Sequence, residues 1–349
     1  MRRIKLTERE KLTLYGITRF PSYTNRELSE QINLSTSTIA SIRRRLYKNG
    51  YFKPLNVPMV QNLGCELLAI IYTNFNPISP LEERIKVTGK TIEVFEEIFL
   101  SIGERDRGFS LSFSRDYTTI GKINDIRTEI FGKRELLEDE YPNMVLFPFD
   151  ISKIYRFFDF SSLLGAYFGI NDERKSVKEE FERSKLFNLS DSEKKVYAML
   201  IKHPNSSDAW IGSKIGVSRH TVSKMKRKFR ESNLLKRIII PNVKKLGFEI
   251  LAFYHISFDP KNPPDVERNE NALLMNDYTV FMATRKFEAV MLSFYANYDE
   301  YSTDRTRIFR LLREKNWITD KPVVKSYSLR NMAVIKDFTF DPLVRKILS

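Results

Sequence analysis

The sequence predicts an α+β protein made of two winged helix-turn-helix domains, each followed by a ferredoxin-like βαββαβ sandwich. Three observations carry this prediction. The chain repeats itself at an offset of 183 residues, each copy opens with three short helices, and each then continues in the order βαββαβ. The predicted domains are 1–58 and 59–170 in the first copy, a linker over 171–186, and 187–241 and 242–349 in the second copy.

The repeat needs no gap over its first part. Positions 6–77 align with 189–260, and identical residues recur along the whole stretch. They include Leu6/Leu189, Glu10/Glu193, Pro21/Pro204, Ser35/Ser218, Thr38/Thr221, Arg44/Arg227, Pro58/Pro241, Gly64/Gly247 and Ala69/Ala252. An ungapped match of this length indicates a duplication.

Composition limits the classes of function. The 349 residues include one cysteine, Cys65, and three histidines, which excludes a disulfide framework and a cysteine-rich zinc site. No apolar run reaches the roughly 18 residues that span a bilayer, and no signal peptide is expected. We therefore expect a cytoplasmic, nucleoid-associated protein of a reducing compartment, with no metal, no cofactor, no catalytic residue and no membrane contact.

The net charge of +14 is concentrated in two segments. Residues 1–60 carry 12 basic and 4 acidic side chains, residues 184–243 carry 13 and 4, and the rest of the chain carries 33 and 36. Clustered positive charge indicates a surface that binds a polyanion, although two solvated basic faces would show the same excess.

Each basic segment contains the signals of three helices. Capping boxes begin the first helix at Thr7-x-x-Glu10 and at Ser190-x-x-Glu193, and Pro21 and Pro204 end it. A second helix begins at Thr24 and at about Ser207. Ser35 and Ser218 cap the third helix, which ends at Gly50 and Asn233, residues that tolerate the left-handed conformation.

The third helix has a core face and a polar face in both copies. Helical spacing places Ile39, Ile42 and Leu46 on the core face, as well as Val222, Met225 and Phe229. Small polar side chains at the start of a helix and cations further along suit the major groove of double-stranded DNA, where they reach base edges and phosphates. A solvated surface helix is the alternative. The candidate DNA-binding residues are Thr36, Ser37, Thr38, Ser41, Arg43, Arg44, Arg45 and Lys48, and Arg219, His220, Thr221, Ser223, Lys224, Arg227 and Lys228.

A short strand follows each third helix, where Lys53 and Lys236 either contact the DNA backbone or belong to a simple linker.

The second part of each copy changes to the period of strands. In the first copy, strands are predicted at 66–75, 95–102, 109–114 and 144–150, with helices at 79–93 and 118–137. The second copy repeats this order with strands at 249–258, 278–285, 287–295 and 322–329, and helices at 264–275 and 299–315. The aromatic-rich segment 147–168 is interpreted as buried contact between the halves or between chains, with an effector pocket as the alternative.

These features together resemble the Lrp/AsnC family of feast/famine, leucine-responsive transcription regulators of bacteria and archaea. The resemblance rests on Val217-Ser218-Arg-His-Thr221-Val222 and Leu246-Gly247-Phe-Glu-Ile-Leu251-Ala252 in the second copy. The first copy matches through Leu34-Ser35-Thr-Ser-Thr38-Ile39 and Leu63-Gly64-Cys-Glu-Leu-Leu68-Ala69. It implies DNA binding by the third helix, dimerisation through sheet faces, and a small amino-acid effector between the sandwiches.

The chain departs from this family in two respects. Members usually carry a glycine- and aspartate-containing turn between the second and third strands; the first copy has Gly103-Glu-Arg-Asp106, but the second has Thr284-Arg-Lys-Phe287. We therefore expect no effector in the second copy. Typical members are also a single unit, whereas this chain is a tandem fusion.

The sequence thus leads to the hypothesis of a sequence-specific DNA-binding transcription regulator that is not an enzyme. Its two unlike reading faces make it a covalent pseudo-dimer for two unlike half-sites, and two chains could pair further through the α/β domains. One alternative is an architectural nucleoid protein with little sequence preference. The other is an enzyme that acts on a tetrapyrrole, since Lrp-like folds have been adapted to decarboxylate haem precursors; here only His255 lies in an α/β domain.

Overall fold

The computed structural model describes residues 6–138, 141–170, 179–182 and 185–349. The first half contains the helices α1 (Glu8–Arg19), α2 (Asn25–Ile32), α3 (Thr36–Lys48), α4 (Leu81–Glu93), α5 (Tyr117–Lys133) and α6 (Ser161–Phe168). The second half contains α7 (Asp191–Lys202), α8 (Asp208–Ile215), α9 (Arg219–Glu231), α10 (Val243–Leu246), α11 (Tyr298–Glu314) and α12 (Asp341–Leu348).

The strands follow the same duplication. The first half contains β1 (Phe52–Pro58), β2 (Leu67–Asn74), β3 (Ile98–Gly103), β4 (Arg107–Ser114), β5 (Asn143–Pro148) and β6 (Lys153–Tyr155). A two-residue strand, β7 (Glu179–Glu180), lies in the predicted linker, of which 171–178 and 183–184 are outside the described residues. The second half contains β8 (Leu235–Pro241), β9 (Ile250–Ser257), β10 (Thr279–Arg285), β11 (Glu288–Tyr295), β12 (Val323–Ser328) and β13 (Ala333–Lys336).

Two three-helix domains form as the capping signals predict. Thr7 and Ser190 each accept a hydrogen bond from the backbone of the glutamate three residues later, which completes both capping boxes. Gly50 and Asn233, the residues predicted to end the third helix, both adopt a positive φ, 64° and 52°. The strands β1 and β8, which follow the third helices, pair with each other in a two-stranded sheet.

Each α/β domain has the strand order of a ferredoxin-like sandwich. The first copy contributes β3-β4-β2-β5 and the second contributes β12-β9-β11-β10, all antiparallel. Alternate residues of β2, such as Leu67, Ala69 and Ile71, pack against Ile120 and Ile123 of α5. The predicted fold class, with two helix-turn-helix domains and two ferredoxin-like domains, is confirmed.

Each sheet also takes a short edge strand from the other half of the sequence. β6 of the first half pairs with β10, where Ile154 lies opposite Ala283. β13 of the second half pairs with β3, where Val334 lies opposite Ile102. Neither strand is predictable from the sequence, because three or four residues are too short to show a strand period.

Contacts divide the chain into two compact units that do not coincide with its two halves. Unit 1 comprises the described residues of Met1–Leu55, Ser152–Glu180 and Arg237–Arg330. Unit 2 comprises those of Asn56–Ile151, Phe181–Lys236 and Asn331–Ser349. Each unit thus combines the helix-turn-helix of one copy with the α/β domain of the other. The domain boundaries given from the sequence stay a prediction.

The aromatic-rich segment contributes buried rings to unit 1 through Phe157, Phe158 and Phe160. Phe157 and Phe158 contact Phe281 of β10, with ring centroids 6.0 and 5.4 Å away. Phe160 contacts Phe294 of β11 at 5.5 Å. These rings therefore join residues from the two halves of the sequence, as the packing interpretation of the segment expects.

The predicted helix at 264–275 is wrong. Only a 3-10 helix forms there, over Glu270–Leu274, and it is preceded by Asn269 at a positive φ of 55°. The left-handed Asn269 interrupts a helix in the middle of the segment, and Glu270 turns back to accept a hydrogen bond from the backbone of Asp265. These features replace the continuous hydrogen bonds of an α-helix.

Among the described residues, no helix is both long and apolar enough to cross a membrane.

Candidate functional site

The third helix of each helix-turn-helix turns one face inward and leaves the other exposed. In α3, Ile39, Ile42 and Leu46 are buried, and in α9, Val222 and Phe229 are buried. Because these positions follow helical spacing, the residues between them point away from the core.

Most candidate DNA-binding side chains lie on the exposed faces. The exposed ones are Thr36, Ser37, Ser41, Arg44, Arg45 and Lys48 on α3, and Arg219, His220, Ser223, Lys224, Arg227 and Lys228 on α9. Arg43, Thr38 and Thr221 are half-buried. The Thr38 and Thr221 hydroxyls lie 2.8 and 2.9 Å from the capping hydroxyls of Ser35 and Ser218, so both threonines hold the start of their helix.

One cation in each third helix is tied to the second helix. Arg43 Nη1 donates to Asn25 Oδ1 at 3.3 Å, and Lys226 Nζ donates to Asp208 Oδ1 at 2.8 Å. These pairs occupy equivalent positions of the repeat. Burial lowers the pKa of the Arg43 guanidinium. The contact with Asn25 of α2 positions α3. It also explains why the side chain of Arg43 is half-buried and does not extend from the exposed face.

A second cation is tied to the first helix. Arg45 Nε donates to Glu10 Oε1 at 3.0 Å, and Lys228 Nζ forms the equivalent ion pair with Glu193. The hydrogen bond from Lys228 holds the pKa of Glu193 below its usual range. Burial of Glu10 raises its pKa, but hydrogen bonds from Thr7 and Arg45 outweigh this effect and the pKa falls. The same carboxylates complete the capping boxes of α1 and α7.

The remaining cations of the two faces extend into solvent. Within the described part of the chain, Arg44, Lys48 and Lys224 make no hydrogen bond or ion pair. Arg227 forms a long, exposed ion pair with Glu231, with 3.9 Å between Nε and Oε1. Arg44, Lys48 and Lys224, which have no such partner among the described residues, keep their charge available for a phosphate.

A depression lies beside α9 on this face. Its volume is about 670 Å³, and its walls include His220, Lys224, Arg227, Lys228 and Glu231. The imidazole lies near the start of the helix and can hydrogen-bond a base edge, whereas the cations further along can neutralise phosphates.

Lys53 and Lys236 are half-buried on β1 and β8. Both roles predicted for them, contact with the DNA backbone and a simple linker, stay open.

No metal centre forms among the described residues, where no group of three or more histidine, cysteine, aspartate or glutamate side chains could hold an ion. His255 of β9 is packed, with its Nε2 3.7 Å from Glu288 Oε1. The neighbouring His255 imidazole and the Arg285 guanidinium hold the pKa of the Glu288 carboxyl below its usual range. This histidine therefore lies in a polar cluster with Glu288 and Arg285 at the end of the sheet.

Sequence reasoning selected no residue of α11, although three arginines follow helical spacing there. Arg305, Arg310 and Arg313 are exposed and line one groove of unit 1. The helical spacing of these three arginines was the signal available in the sequence. It was overlooked because the residues outside the two basic segments have a net charge of −3, which hides a local excess of cations.

No known protein-family model matches the sequence, and no curated protein matches it. Solved structures do match. The crystal structure of the siroheme decarboxylase NirDL has a TM-score of 0.53 and 11% identity, and covers 98% of both chains. The same enzyme in complex with an iron-uroporphyrin III analogue has a TM-score of 0.51 and 10% identity, covering 98% of this chain and 99% of that one. A transcriptional regulatory protein of the AsnC family from Pyrococcus furiosus, at 19% identity and a TM-score of 0.32, covers 41% of this chain and 89% of its own.

These matches show that the chain shares a tandem fold with an enzyme over its whole length. The prediction that the chain is not an enzyme was wrong; it rested on the lack of a recognisable catalytic motif in the sequence and on His255 being the single histidine of the α/β domains. The full-length likeness to a siroheme decarboxylase overturns it.

Proposed function

We propose that this chain binds a tetrapyrrole that carries carboxylate side chains and acts on it as an enzyme. The observation that carries this proposal is the fold likeness to siroheme decarboxylase NirDL over 98% of both chains, which includes both copies of the repeat. The resemblance to single-unit regulators extends over only 41% of this chain.

The chemistry of such a ligand agrees with the charge of the chain. A tetrapyrrole carboxylate needs cationic side chains, and its flat ring needs an apolar surface. The chain has a net charge of +14 and 26 phenylalanines. A decarboxylation would break the bond between a carboxylate carbon and its methylene carbon, release CO2 and place a proton on the methylene, without net oxidation.

The full-length protein should be titrated with iron-uroporphyrin and with siroheme under anaerobic conditions. We expect a saturable shift of the visible absorption band and, on incubation, a mass decrease that corresponds to loss of CO2. Binding without a mass change would limit the activity to tetrapyrrole binding. Absence of any spectral change at the highest soluble tetrapyrrole concentration would refute the proposal.

A second candidate function is sequence-specific DNA binding for transcription regulation, which the exposed cations of α3 and α9 favour. In each of these helices, two cations are tied to neighbouring helices, at positions that are equivalent in the repeat. The cations that stay directed outwards are Arg44, Lys48, Lys224 and Arg227. Since Ser37 and Ser41 face the solvent where the second copy has His220 and Lys224, the two half-sites should differ.

Selection of bound duplexes from a random pool, followed by binding at several salt concentrations, tests this candidate. We expect an asymmetric two-part motif with half-sites about one helical turn, or a multiple of it, apart. If six to ten phosphates are contacted, log K should fall with log salt with a slope of about −5 to −9. Strong binding without enrichment would instead favour an architectural protein. Pairing of two chains through the α/β domains stays a prediction.

A further inference from the structure

A cationic groove runs along α11 in the α/β domain of unit 1. Its volume is about 670 Å³. One wall is the outer face of α11, where Arg305, Phe309 and Arg313 stand four residues apart and Arg310 stands beside them. The other wall includes Lys321 and Val324, at the start of the edge strand β12. We refer to this site as the α11 groove.

The charge of the α11 groove is strongly unbalanced. Three arginines and one lysine line it, and Glu314 is its one acidic residue. Among the described residues, none of the four cations forms an ion pair; Arg305 lies over the ring of Tyr301, with 5.7 Å between Cζ and the ring centroid. Like charges this close repel each other, and an anionic ligand would relieve that repulsion.

The fold does not require these cations. α5 is the counterpart of α11, since both helices have 17 residues and begin at a tyrosine, Tyr117 and Tyr298. The α5 positions equivalent to Arg305, Phe309, Arg310 and Arg313 hold Asn124, Thr128, Glu129 and Gly132. Proximity to the carboxyl end of the helix favours a cation at Arg313 but not at Arg305.

Another arginine of α11 shows the structural alternative. Arg307 donates to Asp304 Oδ1 at 2.8 Å and to the carbonyl of Leu274 at 2.7 Å, so its charge is satisfied inside the domain. In the part of the chain that the structure describes, the arginines of the α11 groove have no such partners. Their guanidinium groups can form paired hydrogen bonds with carboxylate or phosphate oxygens, and Phe309 offers a flat apolar surface between them.

We propose that the α11 groove binds a small aromatic polyanion, a flat ring system that carries several carboxylate or phosphate groups. The volume falls within the range of ligand sites, about 300–1,000 Å³. Two kinds of ligand share this chemistry: a polycarboxylate tetrapyrrole and a nucleoside polyphosphate. This inference goes beyond the proposed function, because it locates an anion site that either kind of ligand can occupy.

The test measures binding of uroporphyrin and of ATP, in separate titrations, to the full chain and to two charge-reversal variants. The groove variant is Arg310→Glu with Arg313→Glu. The matched control is Lys122→Glu with Arg134→Glu, which makes the same charge change at exposed positions of α5 and its end. We expect at least one ligand to bind once per chain, with affinity reduced about tenfold or more in the groove variant and nearly unchanged in the control.

A third variant separates ring recognition from charge. Phe309→Ala should weaken the binding of the aromatic ligand while leaving the weaker binding of pyrophosphate unchanged. If the groove variant does not fold by circular dichroism, the neutral variant Arg310→Gln with Arg313→Gln replaces it.

Three results would overturn the proposal. In the first, neither ligand binds. In the second, every ligand that binds does so equally well to the groove variant and to the wild type. In the third, the groove variant loses duplex DNA binding and no other binding. In the second case, spectral binding of iron-uroporphyrin would leave the proposed function intact and place its site elsewhere. If instead ATP binds at the groove and no tetrapyrrole binds to the protein, the result would support this inference and refute the proposed function.

Discussion

Glu10 of α1 accepts a hydrogen bond from the guanidinium of Arg45 of α3, with 3.0 Å between Oε1 and Nε. Its carboxylate also receives the backbone N–H of Thr7, so one side chain both caps the first helix and holds the third. Glu193 and Lys228 repeat this arrangement in the second copy. Both copies of the repeat thus tie the third helix to the first through the same contact, with arginine in the first copy and lysine in the second.

The first prediction concerns Glu193. Glu193→Gln should lower the free energy of unfolding by about 0.5–1 kcal/mol near neutral pH, because it removes the ion pair with Lys228. The pKa of Glu193 is lowered below 4.5, so an unfolded chain takes up the proton first on acidification. The stabilisation should be complete above the unfolded pKa and disappear as pH falls through the lower folded value.

Denaturant titrations of the wild type and the variant between neutral and acid pH measure this difference. Asp191→Asn is the control, since Asp191 is exposed in the same first turn of α7. A difference that persists unchanged at the lowest pH would contradict the role given to this carboxylate.

The strands of the α/β domains were predictable because their hydrophobic pattern is local. β9 was predicted at 249–258 and occupies Ile250–Ser257. β6 and β13 were not predictable, since each is stabilised by a partner strand more than a hundred residues away in the sequence. The helix expected at 264–275 failed for a local reason, the left-handed conformation of Asn269 in the middle of the segment.

The candidate site was predictable as a surface but not residue by residue. Helical spacing places Arg44 on the exposed face and Arg43 and Arg45 at its flanks, but it does not show what each of these cations contacts. Only the folded chain shows that Arg43 contacts Asn25 and that Arg45 contacts Glu10, which leaves Arg44 directed into solvent. Contacts between helices decide the role of each cation, and a single helix does not contain that information.

A second prediction follows from the way in which the C-terminal segment completes unit 2. Phe340, 3% exposed, packs against Phe99 of β3 and Phe113 of β4, with ring centroids 5.0 and 6.3 Å away. Phe340→Ala should lower the free energy of unfolding by about 3 kcal/mol, the usual cost of a large cavity. Hydrogen exchange should become faster in β3 and β4, although they lie more than two hundred residues earlier in the chain.

Phe287→Ala is the matched control, because Phe287 is 37% exposed and should cost much less. Equal destabilisation by the two variants, measured by urea titration, would show that the C-terminal segment does not hold the first α/β sheet together.

A third prediction concerns Arg127, a residue of α5 whose side chain is buried. Its one hydrogen bond is donated by Nη1 to the hydroxyl of Ser110 at 2.9 Å, and its Nε has no partner among the described residues. Burial lowers the pKa of Arg127 to about 10. Since a buried charge without an acidic partner is costly, Arg127→Met should be neutral or should raise the free energy of unfolding by about 1–2 kcal/mol.

Thermal and urea denaturation of Arg127→Met and of Ser110→Ala measure this effect. Ser110→Ala should destabilise, because it removes the hydrogen bond and leaves the charge buried. If Arg127→Met destabilises the protein more than Ser110→Ala does, the guanidinium has a stabilising role that its contacts do not explain.

The last prediction tests the exposed cations of the third helices. Arg44→Ala and Arg227→Ala should each weaken duplex binding on all sequences and reduce the slope of log K against log salt by about one, as expected for a lost phosphate contact. Lys261→Ala removes the same charge from an exposed loop and should leave the slope unchanged. Arg43→Ala should instead reduce stability, because Arg43 is tied to Asn25. If the slope responds equally to Lys261 and Arg44, binding depends on net charge alone, and the two helices have no special part in it.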